Sequence, residues 1–374
     1  MNDTAVLIHG GGPTAVWNAS LAGLALEARR LPGIPRLMAV RGGFSGLWAQ
    51  NWIDLSSVAP PRLDELADSP GSAIGSSRDI VDDAALAQAV DALQAHKTRV
   101  VFLSGGNGTM RTAHRLQLAV GDRLQVIGIP KTIDNDIPGL TWTPGYGSVA
   151  RFFAHAARDA GEDNRSLPSP VMVLETLGRD TGWVTAATVL ARHHANDAPH
   201  LIYLPERPVS LEKVCSDVDG VLHRLGRCVI AVCEGMKNEL GEPFGADVQW
   251  DRDGARRLAS TLGHSLAVLI HRNLNVRARS EKPGLVGRCF AALASEPDRA
   301  LSFQCGQQAA RAAADGLSGI MVNGQGGSVA LAEISGQLRQ FPQHWITEAG
   351  NDVDPGFVEC LRPIVGGVPG HHRL

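Results

Sequence analysis

The sequence has few aromatic residues, no run of basic residues and no paired cysteines. Aromatic side chains make up 5% of the 374 residues, and 35 lysines and arginines against 38 acidic residues give a formal net charge of −3. Without a basic run, we expect no nucleic-acid partner and no membrane partner. The six cysteines form no CxxC pair, so their spacing predicts neither a disulfide framework nor a zinc site.

Long apolar stretches are also missing. None approaches the ~20 residues that a membrane helix needs, and the N-terminal residues lead into an apolar run without a basic segment. We therefore expect a soluble, cytoplasmic protein. Hydrophobic residues (44%) and charged residues (20%) are typical of a globular chain, which excludes disorder, and the length predicts two domains or one large α/β domain with insertions.

Glycine is abundant, with 42 residues, and much of it follows short apolar runs. Three such runs each precede a turn rich in glycine or polar residues: Ala5–Ile8 before Gly10–Pro13, Arg99–Leu103 before Ser104–Gly108, and Leu124–Ile129 before Pro130–Asp136. Continuous apolar runs of this length are typical of buried parallel strands, and their alternation with helical segments predicts a doubly wound sheet. Because the carboxyl ends of parallel strands lie at one edge of a sheet, we expect the three turns to converge.

A second set of apolar runs indicates a second α/β unit. These runs are Val171–Leu174, Leu201–Leu204 and Cys228–Cys233. The fold class that follows is α/β, with two Rossmann-like three-layer domains and mostly parallel sheets. We expect one domain at residues 1–145 plus about 288–340 and another at 146–287, with a hinge near 144–147. Residues 341–374 have no clear periodicity and are predicted to form a C-terminal extension on the surface.

Two turns have residue types suited to phosphoryl transfer. Lys131–Asp136 combines a cation, a hydroxyl and two carboxylates directly after a strand, and transfer to an alcohol needs a base and a cation to hold the phosphates. An acidic turn that caps a helix is the alternative for this segment. Gly178–Trp183 also follows a strand, and its alternative is an exposed turn with a solvated arginine. Gly105–Thr109 alone does not distinguish a phosphate site from a tight turn.

From Val6 to about Ala314 the sequence resembles the phosphofructokinase family, whose members use ATP or pyrophosphate. Seven signatures occur in family order: Gly11–Gly23, Gly75–Arg78, Gly105–Thr109, Pro130–Asp136, Thr143–Ser148, Leu177–Trp183 and Cys233–Met236. The string PKTIDND at Pro130–Asp136 is highly specific. It disfavours NAD kinases and diacylglycerol kinases, which share a turn similar to GGDGT but lack this string.

The resemblance implies catalytic roles for four residues. Asp134 matches the general base, Thr132 a contact to the transferring phosphoryl group, and Arg179 an arginine that stabilises its charge. Lys131 would help to offset charge in the transfer. His9 precedes the turn at Gly10–Pro13, which we call the first glycine loop. It is expected to have a supporting role, because Asp134 already serves as the base.

The resemblance also implies donor, acceptor and metal residues. The donor residues would be Gly11, Arg78, Gly106, Asn107, Gly108 and Thr109. The acceptor residues would be Asp136, Leu177, Gly178, Glu234, Arg279, Arg288 and Arg165. Mg²⁺ would be held by Asn107 and Asp136. The phosphate donor would bind to the first domain and the sugar phosphate mainly to the second, in a homodimer or homotetramer.

Departures from the family pattern concern both substrates. Asn107 replaces a carboxylate and is a weaker Mg²⁺ ligand, because an amide brings no negative charge. Gly108 is typical of ATP users and Lys131 of pyrophosphate users, and we favour ATP by a narrow margin. Leu285 replaces a polar residue expected to contact the phosphate of the acceptor, and Leu177 replaces a methionine beside the sugar. They leave fructose 6-phosphate, converted to fructose 1,6-bisphosphate, as the default acceptor and another sugar or sugar phosphate as the alternative.

A non-catalytic protein that binds sugar phosphate or nucleotide is the rival hypothesis. Asn107 and Leu285 motivate it. The joint presence of Asp134, Asp136 and Arg179 argues against it, because a binding protein has no chemical need for all three.

Overall fold

The computed structural model describes residues 3–167, 170–242, 244, 249–250, 256–257 and 262–372, and these form two units. The first unit contains Met1–Ser148 and Arg288–Arg339, and the second contains Val149–Gly287 and Gln340–Leu374. The boundary at Ser148 lies one residue after the position predicted for the hinge, 144–147, and falls within a long helix.

The described residues contain thirteen strands and twelve α-helices. The strands are β1 (Thr4–Gly10), β2 (Arg36–Val40), β3 (Trp52–Asp54), β4 (Thr98–Gly105), β5 (Gln125–Pro130), β6 (Val171–Thr176), β7 (Leu201–Tyr203), β8 (Cys228–Cys233), β9 (Gln249–Trp250), β10 (Arg256–Arg257), β11 (Ala278–Glu281), β12 (Ile320–Val322) and β13 (Ser328–Ala330). The helices are α1 (Trp17–Ala28), α2 (Gly43–Trp48), α3 (Pro60–Ala67), α4 (Asp83–Ala95), α5 (Asn107–Val120), α6 (Tyr146–Ser166), α7 (Trp183–Ala187), α8 (Leu211–Leu225), α9 (Leu262–Leu274), α10 (Glu296–Ala314), α11 (Leu331–Ile334) and α12 (Pro355–Val365). In the part of the chain that the structure describes, no helix combines the length and apolarity needed to span a bilayer.

The first unit is built on a seven-stranded sheet in the order β13-β12-β5-β4-β1-β2-β3. Its central pairs are parallel, and the two edge pairs, β2–β3 and β12–β13, are antiparallel. The register aligns the carboxyl ends of three strands, with Gly10 opposite Gly105 and Gly105 opposite Pro130. The mostly parallel sheet predicted from the apolar runs is confirmed. The loops that follow β1, β4 and β5 therefore start side by side at one edge of the sheet.

The second unit contains a four-stranded parallel sheet in the order β11-β6-β8-β7. Every residue of β6 and β8 is buried, as their continuous apolar runs predict. Cys228 and Cys233 lie in β8 as buried free thiols. The ends of these two strands are in register, with Thr176 opposite Cys233, so the residues that follow them start side by side.

The C-terminal segment, described for residues 341–372, is packed into the second unit, so the prediction of an extension on the surface is wrong for this part. Phe341 and Phe357 are fully buried, and their rings lie 5.0 and 6.2 Å from that of Trp183. α12 begins where the Asp354 carboxylate accepts from the Gly356 N–H at 2.7 Å. The segment shows no periodicity because its aromatic residues are irregularly spaced and pack against a tryptophan far away in the chain.

We expect Phe357→Ala to lower the free energy of unfolding by about 3–5 kcal/mol, because it leaves a cavity among buried aromatic rings. Leu118→Ala, at an exposed helix position, is the control and should change stability by less than about 0.5 kcal/mol. Urea denaturation followed by circular dichroism measures both. A loss below about 1 kcal/mol for Phe357→Ala would contradict the burial of this segment.

Candidate functional site

The carboxyl ends of β1, β4 and β5 lie close together in the first unit, and we call this row the glycine edge. A Cβ atom on Gly105 would clash with the Thr109 side chain and would lie 2.5 Å from the Gly10 carbonyl oxygen. Only glycine therefore lets β1 and β4 end side by side with the Thr109 hydroxyl between them. Helix α5 starts directly after Gly106, and no side chain caps it. Its first backbone N–H groups therefore remain available to an anion.

The first glycine loop is flanked by two arginines. The Gly11 N–H donates to the Ser77 carbonyl at 2.9 Å, which brings the Gly75–Arg78 turn against this loop. A Cβ on Gly12 would lie 3.2 Å from Nη2 of Arg78 and 3.4 Å from Nη1 of Arg288. The structure thus brings Arg288, expected among the acceptor residues, to the glycine loop of the first unit beside Arg78.

Lys131 lies beneath the same loop as a buried cation. Its ammonium donates to the Gly12 carbonyl at 2.6 Å and lies 3.4 Å from the Gly10 carbonyl. The pKa of Lys131 is lowered to about 7, chiefly by burial and also by the charge of Arg288, whereas the Asp134 carboxylate opposes the shift. The glycine loop therefore has three cations around it, one of which changes charge near neutral pH.

The two carboxylates of the Pro130–Asp136 turn are arranged by the asparagine between them. Asn135 is fully buried in a left-handed conformation (φ 50°), and its Oδ1 accepts from the Thr143 N–H at 2.9 Å. The Asp134 N–H donates to Oγ1 of Thr132 at 3.1 Å. Asp134 is half-buried, and its charge acts on both Lys131 and Asp136. The turn thus places a base candidate beside the cation cluster.

Two oxygen atoms next to this turn suit a hard divalent cation. Oδ1 of Asn107 and Oδ1 of Asp136 are both buried without a hydrogen-bond partner. The Asn107 amide N–H donates to the Asp136 carbonyl at 3.2 Å, so the two residues are in contact. Burial, and secondarily Asp134, raises the pKa of Asp136. The residues fit Mg²⁺, which prefers oxygen ligands and takes few from protein when phosphates supply the rest.

No group of three or more histidine, cysteine or acidic side chains among the described residues could hold a metal ion. The predicted pair of Asn107 and Asp136 would need donor phosphate oxygens as further ligands. Mg²⁺ bound there would neutralise charge on the phosphates of the donor.

We expect Asn107→Asp to lower the Mg²⁺ concentration that gives half-maximal activity by roughly tenfold, because a carboxylate adds charge to the ligand set. Without Mg²⁺ the variant should melt at a lower temperature than the wild type, since the introduced carboxylate would repel that of Asp136. Titration of activity and of thermal melting with Mg²⁺ measures both effects. Asn273→Asp, on an exposed part of α9, is the control. An unchanged Mg²⁺ requirement would exclude Asn107 as a ligand.

The second unit places Arg179 and Glu234 at the end of its sheet. Each follows one of the paired strands β6 and β8, and Nε of Arg179 lies 3.8 Å from Oε1 of Glu234. A Cβ on Gly235 would clash with the Arg179 carbonyl, so glycine is required for this approach. Leu177 is 4% exposed, and Gly178 adopts φ 125°. These four predicted residues therefore lie together.

Sequence reasoning missed Glu206, which is hydrogen-bonded to the loop that contains Arg179. Its half-buried carboxylate accepts from the Gly182 N–H and the Phe341 N–H, each at 2.9 Å. Burial raises the pKa of Glu206, and these two hydrogen bonds oppose the shift. The C-terminal segment is thereby tied to the turn that presents Arg179.

Two predicted acceptor residues are not brought to this edge. Arg279 pairs with Met172 on β6, four residues before the strand ends, which is roughly 13 Å back along the sheet. Arg165 lies in the last turn of α6, where its Nε donates to Glu162 at 2.9 Å. That turn precedes the start of β6, at the opposite end of the sheet. The roles of both arginines stay predictions.

Further contacts were missed because no local signal marks them. Lys282 pairs with buried Glu175 in the second unit. In the first unit, the fully buried Asp298 accepts from the N–H groups of Gly145 and Ser148, both at 2.9 Å. Burial raises the pKa of Asp298 to about 6, against the effect of these hydrogen bonds. It thus holds the Thr143–Ser148 signature at the start of α6.

The first unit thus combines a mostly parallel α/β sheet with a glycine edge, fixed cations and neighbouring carboxylates. These features are typical of a phosphotransferase. Residues 4–313 match the family Phosphofructokinase. The chain belongs to the phosphofructokinase family, as the resemblance of its motifs predicted.

Similar proteins with known activities use different phosphate donors. Pyrophosphate–fructose 6-phosphate 1-phosphotransferase of Rhodospirillum rubrum is 34% identical over 99% of this chain and 96% of its own length. ATP-dependent 6-phosphofructokinase of Mycobacterium tuberculosis is 29% identical over 90% of this chain and 96% of its own. The crystal structure of pyrophosphate-dependent phosphofructokinase from Nitrosospira multiformis superposes with a TM-score of 0.87 at 28% identity, covering 99% of this chain and 94% of that one.

Proposed function

We propose that the protein transfers the terminal phosphoryl group of pyrophosphate, with Mg²⁺, to a hydroxyl of a sugar phosphate, with fructose 6-phosphate as the default acceptor. The observation that carries the choice of donor is Lys131, a buried cation fixed under the first glycine loop. Pyrophosphate has no nucleoside to contribute contacts, so its binding depends on fixed cations and on metal. Arg78 and Arg288, beside the same loop, add to that charge.

The names of the relatives also favour pyrophosphate over the ATP that Gly108 led us to expect. The Rhodospirillum rubrum relative is named for pyrophosphate and fructose 6-phosphate, and it aligns over nearly the whole chain. The name of this relative also supports fructose 6-phosphate as the acceptor.

In the proposed reaction, Asp134 accepts the proton of the attacking sugar hydroxyl while the phosphoryl group leaves phosphate behind. Lys131, the N–H groups at the start of α5 and Thr132 stabilise charge on the donor phosphates. Arg179 and Glu234 bind the transferring group and the sugar hydroxyls, respectively. Asn107 and Asp136 would hold Mg²⁺.

ATP as the donor is the second candidate, and one observation favours it. A Cβ on Gly108 would meet no atom within 4 Å, so there is open space at the start of α5 where a nucleotide would extend. The Mycobacterium tuberculosis relative is named as ATP-dependent.

A matrix of donors and acceptors tests the proposal. ATP and pyrophosphate are each combined with fructose 6-phosphate and a panel of sugars and sugar phosphates, with Mg²⁺, and products are followed by ³¹P NMR. We expect turnover of fructose 6-phosphate with pyrophosphate. Strong turnover of another acceptor would indicate that the loop with the exposed Leu285 selects a different sugar. Absence of turnover for every pair of donor and acceptor, together with tight ligand binding, would support the hypothesis of a non-catalytic binding protein.

A further inference from the structure

We propose that Trp17 is a positioning residue for the phosphate donor, because its indole holds the Lys131 ammonium at the first glycine loop. The inference rests on the proposed role of Lys131 in binding the donor, and it adds a residue for which the family resemblance assigned no role.

The contact between the two side chains is close and dry. Nζ of Lys131 lies 4.0 Å from the centroid of the indole ring, within the range of a cation–π interaction. Trp17 is fully buried and Lys131 is 3% exposed, so little water screens the pair. An ammonium has three N–H donors, and the carbonyls of Gly12 and Gly10 take up two. Under this proposal, the third N–H donates to a phosphate oxygen of the donor.

The indole is itself fixed by two contacts. Its Nε1–H donates to Oγ of Ser104 at 2.8 Å, in the strand that leads to the second glycine loop. The His9 ring stacks on it with a centroid distance of 4.2 Å and an interplanar angle of 8°. Since the Ser72 hydroxyl donates to the Gly75 carbonyl, Nδ1 of His9 donates to Ser72 at 2.8 Å.

A neutral His9 is compatible with the neighbouring ammonium. Burial lowers the pKa of His9 well below its usual value, and the charge of Lys131 lowers it further. His9 therefore adds no second positive charge beside Lys131, and the indole offers the ammonium an electron-rich face. The indole face replaces hydration that the buried Lys131 ammonium loses. Arg78 and Arg288 repel this ammonium.

A purely structural role for Trp17 makes a different prediction from a positioning role. Trp17→Phe and Trp17→Leu both remove the hydrogen bond to Ser104 and both leave an apolar side chain, but only phenylalanine keeps an aromatic face. If Trp17 positions Lys131, the KM for pyrophosphate should be about tenfold higher in Trp17→Leu than in Trp17→Phe, with kcat within twofold. Equal KM values in two folded variants would overturn the proposal.

A second measurement avoids the risk that Trp17→Leu does not fold. Replacing the tryptophans of the full chain with mono-, di- and trifluorotryptophan weakens the π face with little change in volume. We expect the dissociation constant for pyrophosphate, measured by calorimetry with Mg²⁺, to rise stepwise with the number of fluorines. The same series in Trp17→Phe controls for the other six tryptophans and should show no trend.

The outcomes separate this inference from the proposed function. Stepwise weakening of binding without turnover would support the contact while the proposed reaction fails. Turnover of pyrophosphate with no fluorine dependence, or with the same dependence in Trp17→Phe, would overturn the role of Trp17 alone. Absence of pyrophosphate binding in the unmodified protein would overturn both.

Discussion

Replacing Asp134 with asparagine should lower kcat by roughly 10²–10⁴-fold, because the amide keeps the shape of the side chain but cannot accept a proton. The KM for the sugar phosphate should change little, since an amide oxygen still accepts a hydrogen bond. Asp134 lies in a turn held by Asn135 and Thr132, so the substitution should not disturb the backbone. Initial rates at saturating donor and saturating sugar phosphate measure the effect on kcat alone.

Donor saturation matters because the Asp134 charge also acts on Lys131. Its negative charge opposes the lowering of the Lys131 pKa, so its loss should weaken donor binding near neutral pH. Asp122→Asn, at an exposed position of the first unit, is the control and should keep full activity. Undiminished kcat in Asp134→Asn would remove Asp134 from the role of general base.

The second large effect is expected for Lys131→Met, which removes the charge but keeps an unbranched chain of similar length. The value of kcat/KM for pyrophosphate should fall by roughly 10²–10³-fold, comparable to the loss of one donor to a developing anion. With ATP the fall should be smaller, because a nucleotide has further contacts available. Lys213→Met, at a surface ion pair, serves as the control. Equal losses with both donors would contradict a role of Lys131 in donor choice.

The same residue predicts a pH dependence. Lys131 is protonated below its pKa of about 7, and only the protonated form attracts an anionic donor. The wild-type kcat/KM for pyrophosphate should therefore fall as pH rises above about 7. The Lys131→Met variant should lack this limb and report only the titration of the remaining groups and of the donor. A limb at the same pH in both proteins would assign it to another group.

The sequence was sufficient to predict features that depend on neighbouring residues in the chain. Apolar runs ending in glycine turns predicted parallel strands, and parallel strands require their carboxyl ends to lie at one edge. The register of Gly10, Gly105 and Pro130 agrees with that reasoning. The pairing of β6 with β8 brings Arg179 to Glu234 by the same rule.

Features that depend on distant residues could not be predicted. In the sequence, Trp17 looks like an ordinary core residue. It follows β1 and Lys131 follows β5, and the two residues come into contact because both strands lie beside β4 in the sheet. Phe341 and Glu206 meet near Gly182 without any periodic signal in the segments that carry them. Such contacts depend on which elements pack together, and a single sequence contains no local pattern that specifies this.

The most direct test of the proposed donor is the reverse reaction, since it asks which molecule takes the phosphoryl group back. The protein is incubated with fructose 1,6-bisphosphate and Mg²⁺, and either inorganic phosphate or ADP is added. If pyrophosphate is the donor, ³¹P NMR should show pyrophosphate forming with phosphate and no ATP forming with ADP. Formation of ATP from ADP, with phosphate unused, would contradict the proposal and assign the open space at Gly108 to a nucleotide.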